Sequence, residues 1–337
     1  MRVAILRMSG LGAPAAALAW LGRQGTRAIA ALVFIGIAAP PIDALLKPYV
    51  TEAIFVLLCL AFLRVDPAAL RSHLGRPALV LAATGWTMLV IPALFGASCL
   101  AIGLETRSPD MILALMLQAV ASPMMAAPAF AALMGLDATL VLVTLVASTA
   151  LTPITAPAFS HAFLGPALTL SPLALGLKLF AILAGSAIIG VTIRRITGPA
   201  TIARYTEEIA GVNILVVFVF VAAVMENVAA RFVAAPLVML ELAALAFVVF
   251  FAVLGVTTLL FVRAGRERAL ALGLMAAQRN MGLMLAATGG ALPDLAWLYF
   301  ALCQFPIYLS PHLLEPLARR LVVRSQLGPR LGGTSHP

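Results

Sequence analysis

Residues 274–285 read LMAAQRNMGLML. Gln278, Arg279 and Asn280 stand in a row inside apolar sequence long enough to cross a bilayer. A permanent cation at the centre of a spanning helix costs on the order of 3 kcal/mol, and an ionisable residue there marks a functional site by default. The triplet therefore predicts an interrupted helix and a site built on the interruption.

The rest of the chain supplies the membrane. Of 337 residues, 63% are hydrophobic and 10% are charged, whereas soluble domains carry about 25% charged residues. One water-soluble core cannot hide that excess. The apolar runs are about 20 residues and uninterrupted, which means helices rather than the alternating, roughly 10-residue strands of a barrel. The net charge of +9 does not indicate nucleic-acid binding, because the basic residues sit at the ends of apolar spans, as membrane orientation requires. Cys59, Cys99 and Cys303 lie in apolar segments without CxxC spacing, and the four histidines are scattered, so no metal site is expected. Residues 1–27 are expected to form an amphipathic lead-in helix at the cytoplasmic surface.

The pattern predicts ten spans, near 28–47, 49–65, 76–103, 109–135, 137–163, 172–196, 206–230, 235–262, 268–292 and 294–317. With the N-terminus in the cytoplasm, seventeen Lys and Arg residues fall on the cytoplasmic side and three, Lys47, Arg107 and Arg231, on the other. That asymmetry predicts both termini cytoplasmic, a basic tail at 318–337, and residence in the inner (plasma) membrane.

The fourth span carries ASPMMAAPAF, with Pro123 and Pro128 five residues apart. Each proline removes a backbone donor and clashes with the preceding turn. The ninth span carries the opening triplet and Gly282. Both interruptions fall in the fourth span of a five-span half, 28–163 and 172–317. Paired interruptions of this kind point to an inverted-repeat transporter whose broken helices 4 and 9 cross. The expected fold is all-α, with one bundle rocking against the helices that carry the breaks.

These residues resemble the bile acid:sodium symporter family over roughly residues 15–320. LVIPALFG at 89–96 is similar to the family's proline-ended third helix. The stretch from Ser122 through the GLD turn to Phe159 is similar to its broken fourth helix running into the fifth. RNMGLMLA at 279–286 is similar to its ninth-helix break. The resemblance implies ten helices in two inverted repeats, an organic anion as substrate and sodium as the coupling ion. The ion ligands that it implies are largely replaced. Its Ser and Asn positions are Pro128 and Ala129, its fifth-helix Ser and Thr are Leu140 and Thr144, its third-helix glutamine is Thr87, its ninth-helix glutamate is Met275 and the adjacent glutamine is Arg279. Sodium coupling of the family kind is therefore not expected, and no other cofactor is implied.

Three readings of Arg279 stay open: an anchor for an anionic substrate, a fixed charge in place of a sodium ion, or a structural partner of a carboxylate such as Glu241. Arg279, Asn280, Gln278, Met124 and Met125 are the candidate substrate contacts, the methionines as a soft wall for an apolar body. Thr144, Thr87 and Glu241 are weaker candidates for ion coupling, and Pro123, Pro128 and Gly282 are the expected helix breakers. Gln118, Ser122, Ser148, Thr149 and Thr152 are candidate path-lining residues. Lys178 is expected to reach headgroups, and Asp137 to cap a turn. No cluster suited to catalysis is visible, so an enzyme is not expected. The leading function is a secondary transporter of a small organic anion. The alternatives are a non-transporting membrane sensor or structural protein, and an arsenite-type exporter, whose usual cysteine is missing from the broken fourth helix. Besides the anion, the bilayer is the expected partner.

Overall fold

The computed structural model describes residues 12–25, 28, 31, 35, 45–65, 77–165 and 170–327, with side chains to 321. The expected span 28–47 lies almost wholly outside them, as does the end of the basic tail. Twelve helices carry the argument. They are α1 (Gly12–Gln24), α2 (Val50–Arg64), α3 (Pro77–Ala101), α4 (Pro109–Val120), α5 (Ala127–Leu133) and α6 (Ala138–Leu164). They continue with α7 (Pro172–Thr197), α8 (Thr206–Val224), α9 (Pro236–Leu260), α10 (Arg266–Ala277), α11 (Met281–Thr288) and α12 (Asp294–Leu327). No strand occurs among the described residues.

Hydrocarbon offers the backbone no partners, so a spanning segment must satisfy its own amides, and a helix does this within one segment. Five helices are long and apolar enough to cross: α3, α6, α7, α9, and α8 with its continuation to Ala234. The chain is an all-α membrane protein. The count falls short of the expected spans partly because two of them are cut into pieces, of 12 and 7 residues (α4, α5) and of 12 and 8 (α10, α11). Neither piece alone reaches the roughly 20 residues that a bilayer requires.

The chain divides into two compact units. One takes residues 1–65 and 182–236, the other 66–181 and 237–337. Each unit thus draws on both sequence halves, and both interruptions belong to the second.

In the first unit, α1 lies against α8 through two glycines. A Cβ on Gly211 would sit 2.9 Å from the Leu18 Cα and nearer still to its carbonyl, and one on Gly22 would meet the Glu207 carbonyl. Small residues at such points let helix backbones touch, which is how membrane helices gain packing without a hydrophobic driving force. Of the expected lead-in at 1–27, residues 12–25 are described. Over them Arg23 is the sole charge of α1, and the helix packs on α8. Arg23 also reaches Glu207 at 2.7 Å, but both side chains are half exposed, and such a pair adds little. Likewise α7 meets α2 at Gly190, whose Cβ would lie 2.7 Å from the Cys59 carbonyl.

In the second unit, α6 packs on α3, α4, α5 and α10. It keeps Pro153 and Pro157 in its interior. Pro157 deprives the Pro153 carbonyl of its helical donor, and Gly176 of α7 packs against that atom, 2.9 Å from where its Cβ would be. Gly273 brings α10 as close to the Leu254 carbonyl of α9, at 2.7 Å. Trp86 of α3 donates its indole N–H to the Thr257 hydroxyl of α9 at 2.9 Å.

Replacing Gly211 by Leu should force α1 off α8, at a cost of about 1–3 kcal/mol for overpacking. The expected result is a lower melting temperature of the detergent-purified protein. Gly255→Ala, where a Cβ meets nothing within 4 Å, should leave the melting temperature unchanged. Equal behaviour of the two variants would contradict the backbone contact.

Candidate functional site

The two interruptions meet. After α4 the chain turns extended at Ala121 (φ −61°, ψ 145°) and stays non-helical to Ala126. After α10 it turns extended at Gln278 (φ −85°, ψ 91°) and is helical again from Met281. The segments run antiparallel, with Pro123 opposite Arg279. The Met124 N–H donates to the Gln278 carbonyl at 2.7 Å, and the Asn280 N–H donates to the Ser122 carbonyl at 2.8 Å. Pro123 and Arg279 thus face each other at a position where neither need donate, so proline fits there at no loss of a hydrogen bond.

Two of the expected breakers have other roles. Pro128 is the second residue of α5, where its missing N–H would have been without a helical partner anyway. Gly282 lies buried inside the first turn of α11. Asn280 closes the second break. It forms an inverse γ-turn (φ −79°, ψ 71°), with the Met281 N–H on the Arg279 carbonyl at 2.9 Å. Its side-chain oxygen accepts from the Leu283 N–H at 3.1 Å as the N-cap of α11. Asp137 caps α6 in the same way, through the Leu140 N–H at 2.9 Å, and pairs with Arg268 at 3.3 Å.

The flanking side chains separate, as extended backbone dictates. Gln278 is wholly buried and donates to the Ser310 hydroxyl of α12 at 3.0 Å. Arg279, only 3% exposed, goes to α3 and α4. It donates to the Ala121 carbonyl at 2.9 Å and to the Thr87 carbonyl at 3.2 Å. Both acceptors are free for identifiable reasons. Ala121 ends α4, where further helical donors stop and a cation also meets the negative end of the helix dipole. Thr87 lies in one π turn, Trp86–Val90. There the Ile91 N–H bonds to Trp86 rather than to Thr87, and the next residue, Pro92, has no N–H. Thr87 therefore keeps a bare carbonyl, and Arg279 takes it.

No ion pair involves Arg279 among the described residues. Glu241 is exposed on α9, which overturns the reading of it as a structural partner of the guanidinium. Met124 and Met125 are half-buried in the turn after Pro123. The hydroxyls of Thr87, Ser122, Thr144, Ser148 and Thr149 are buried without a partner among the described residues, whereas Thr152 bonds back to the Ser148 carbonyl at 3.0 Å. Gln118 accepts from the Tyr299 hydroxyl at 2.6 Å, which ties α4 to α12. Lys178 does not simply point away: its ammonium lies 4.0 Å from the Cβ position of Gly289. Gly289, in the left-handed conformation (φ +69°), ends α11, so this cation also sits at a helix C-terminus.

The residues present do not fit sodium. Met275 and Leu140 are buried side chains without oxygen, and Ala129 is exposed. The partnerless hydroxyls of Thr87 and Thr144 are neutral. The anionic ligand that would favour the ion is missing, and the guanidinium repels it. Two like charges 4 Å apart oppose each other by about 4 kcal/mol at an effective dielectric of 20. Among the described residues no group of three His, Cys, Asp or Glu side chains could hold another metal.

Removing the cap by Asn280→Ala should cost about 1 kcal/mol, read as a fall of a few degrees in melting temperature. Asn280→Asp should retain most of the stability, because its carboxylate accepts the same N–H. A tolerated alanine would show that the side chain is there for something other than the turn. No protein-family model and no curated protein matches the chain, so the meaning of this crossover rests on its own geometry.

Proposed function

We propose that the chain is a secondary transporter that moves a small organic anion, bile-acid-like or another carboxylate, by alternating access. The observation that carries this is the buried Arg279 guanidinium at the crossing of two interrupted helices, with no carboxylate paired to it among the described residues. A buried charge normally requires a partner of opposite sign. Two carbonyl dipoles meet the hydrogen-bonding need of two of its five donors, but they leave the net charge uncancelled. An anion that enters the site cancels it. The positive end of α11, at Asn280 and Met281, adds to the same field.

The repeat organisation is part of the proposal: ten helices in two inverted five-helix repeats, with both termini cytoplasmic in an inner (plasma) membrane. The interleaving of the units supports it. Counted along the expected spans that are described, the first unit holds the second, most of the sixth and the seventh, and the second unit holds the third to fifth and the eighth to tenth. Matched shares from both halves are what two related repeats produce. The half-buried Met124 and Met125 suit the apolar body of the anion, because thioether side chains adapt to irregular shapes.

Uptake of labelled organic anions into proteoliposomes tests the reading. Wild-type protein should concentrate or exchange at least one carboxylate from a broad panel. Arg279→Ala should lower its apparent affinity about 30- to 150-fold, the size of a lost charge-assisted contact of about 2–3 kcal/mol. Absence of uptake across the panel would leave a sensor or structural protein as the better reading. Uptake that ignores Arg279→Ala would sink the role given to this residue.

A further inference from the structure

Unwound backbone in a membrane carrier exposes carbonyl oxygens, and such oxygens are the usual ligands of small cations. At this crossover two buried carbonyls that their own helices leave without a donor, Ala121 and Thr87, belong to different helices and converge on one group. That group is a side chain of the chain itself. The guanidinium is charged at any pH a cell meets, it is bound at both terminal nitrogens, and it cannot diffuse away.

We infer that Arg279 is a tethered cation that fills the carbonyl seat permanently, and that the protein is consequently indifferent to sodium and the other alkali ions. Three independent features agree. The seat is built by backbone carbonyls, which need a hydrogen-bond donor or a cation whatever side chains surround them. The π turn and Pro92 create one of its two acceptors, the Thr87 carbonyl, which the helix itself leaves without a donor. The side chains around it supply no anionic oxygen, so a free ion has nothing to gain by displacing the arginine. For transport, which rests on the reading above, the consequence is a carrier whose anion flux does not depend on a sodium or other alkali-ion gradient.

The experiment uses thermal unfolding of the purified full-length protein, with sodium, lithium or potassium chloride compared against choline chloride at equal ionic strength. Wild-type protein should melt within about 1 °C in all four salts. Arg279→Gln and Arg279→Met free both carbonyls and remove the charge, so each should acquire a saturable rise of several degrees with at least one alkali ion. Arg279→Lys keeps a tethered cation and should remain indifferent. A sodium-dependent rise in the wild type overturns the inference, as do folded neutral variants that respond to no alkali ion. If neither neutral variant folds, the lysine variant decides: a monodisperse, sodium-indifferent protein supports the tethered cation, and an unfolded or sodium-responsive one overturns it. No substrate enters this measurement. A sodium-indifferent protein that takes up no anion would sink the transport reading alone, whereas a transporting protein stabilised by sodium would sink this inference alone.

Discussion

The second unit depends on one antiparallel bridge. Two amide-to-carbonyl bonds, Met124 to Gln278 and Asn280 to Ser122, join the break between α4 and α5 to the break between α10 and α11. Without the pairing, each interruption would leave bare peptide groups inside a membrane protein, at several kcal/mol apiece in a hydrocarbon surrounding. With it, each break supplies the partners that the other lacks. The remaining needs are met locally, by the Asn280 cap and by the arginine. The bridge also sorts the side chains. Because neighbouring residues in extended chain face opposite ways, Gln278 is held by α12 while Arg279 is committed to α3 and α4.

Much of this was legible in the sequence, for reasons that can be named. A QRN triplet within an apolar run, and two prolines close together in another, are each incompatible with a continuous spanning helix. Their matched places predicted that the two would meet. The exact residues of each break were less legible. Pro128 and Gly282 read as breakers because proline and glycine usually are, yet a proline in the first turn begins a helix as readily as another ends one. Asn280 has a side chain that competes for backbone amides, and that competition, rather than glycine's flexibility, closes the break between α10 and α11. The destination of Arg279 was not legible at all. It depends on which carbonyl of α3 is free, and that is decided by the helical register around Pro92.

The first unit shows a second limit. Its decisive contact joins Gly22 to a helix almost two hundred residues away, and nothing local to GAPAAALAWLGRQ announces a partner. A helix poor in charge and rich in alanine fits an interfacial position or a close-packed one almost equally well. The close contact needs a glycine opposite it, Gly211, and only the three-dimensional arrangement brings the two together.

The π turn in α3 carries a consequence of another kind. A helix with one π turn holds one residue more than its length requires. If that surplus residue were absorbed, the Ile91 N–H would return to the Thr87 carbonyl, and the guanidinium and the amide would compete for the same oxygen. The guanidinium occupies the oxygen that such a return would need, and everything beyond the π turn on α3, from Pro92 to Ala101, is rotated by about 100° relative to an unbulged helix. The face that α3 turns toward its neighbours beyond that point is thus fixed by the same turn that leaves an oxygen for a side chain nearly two hundred residues downstream.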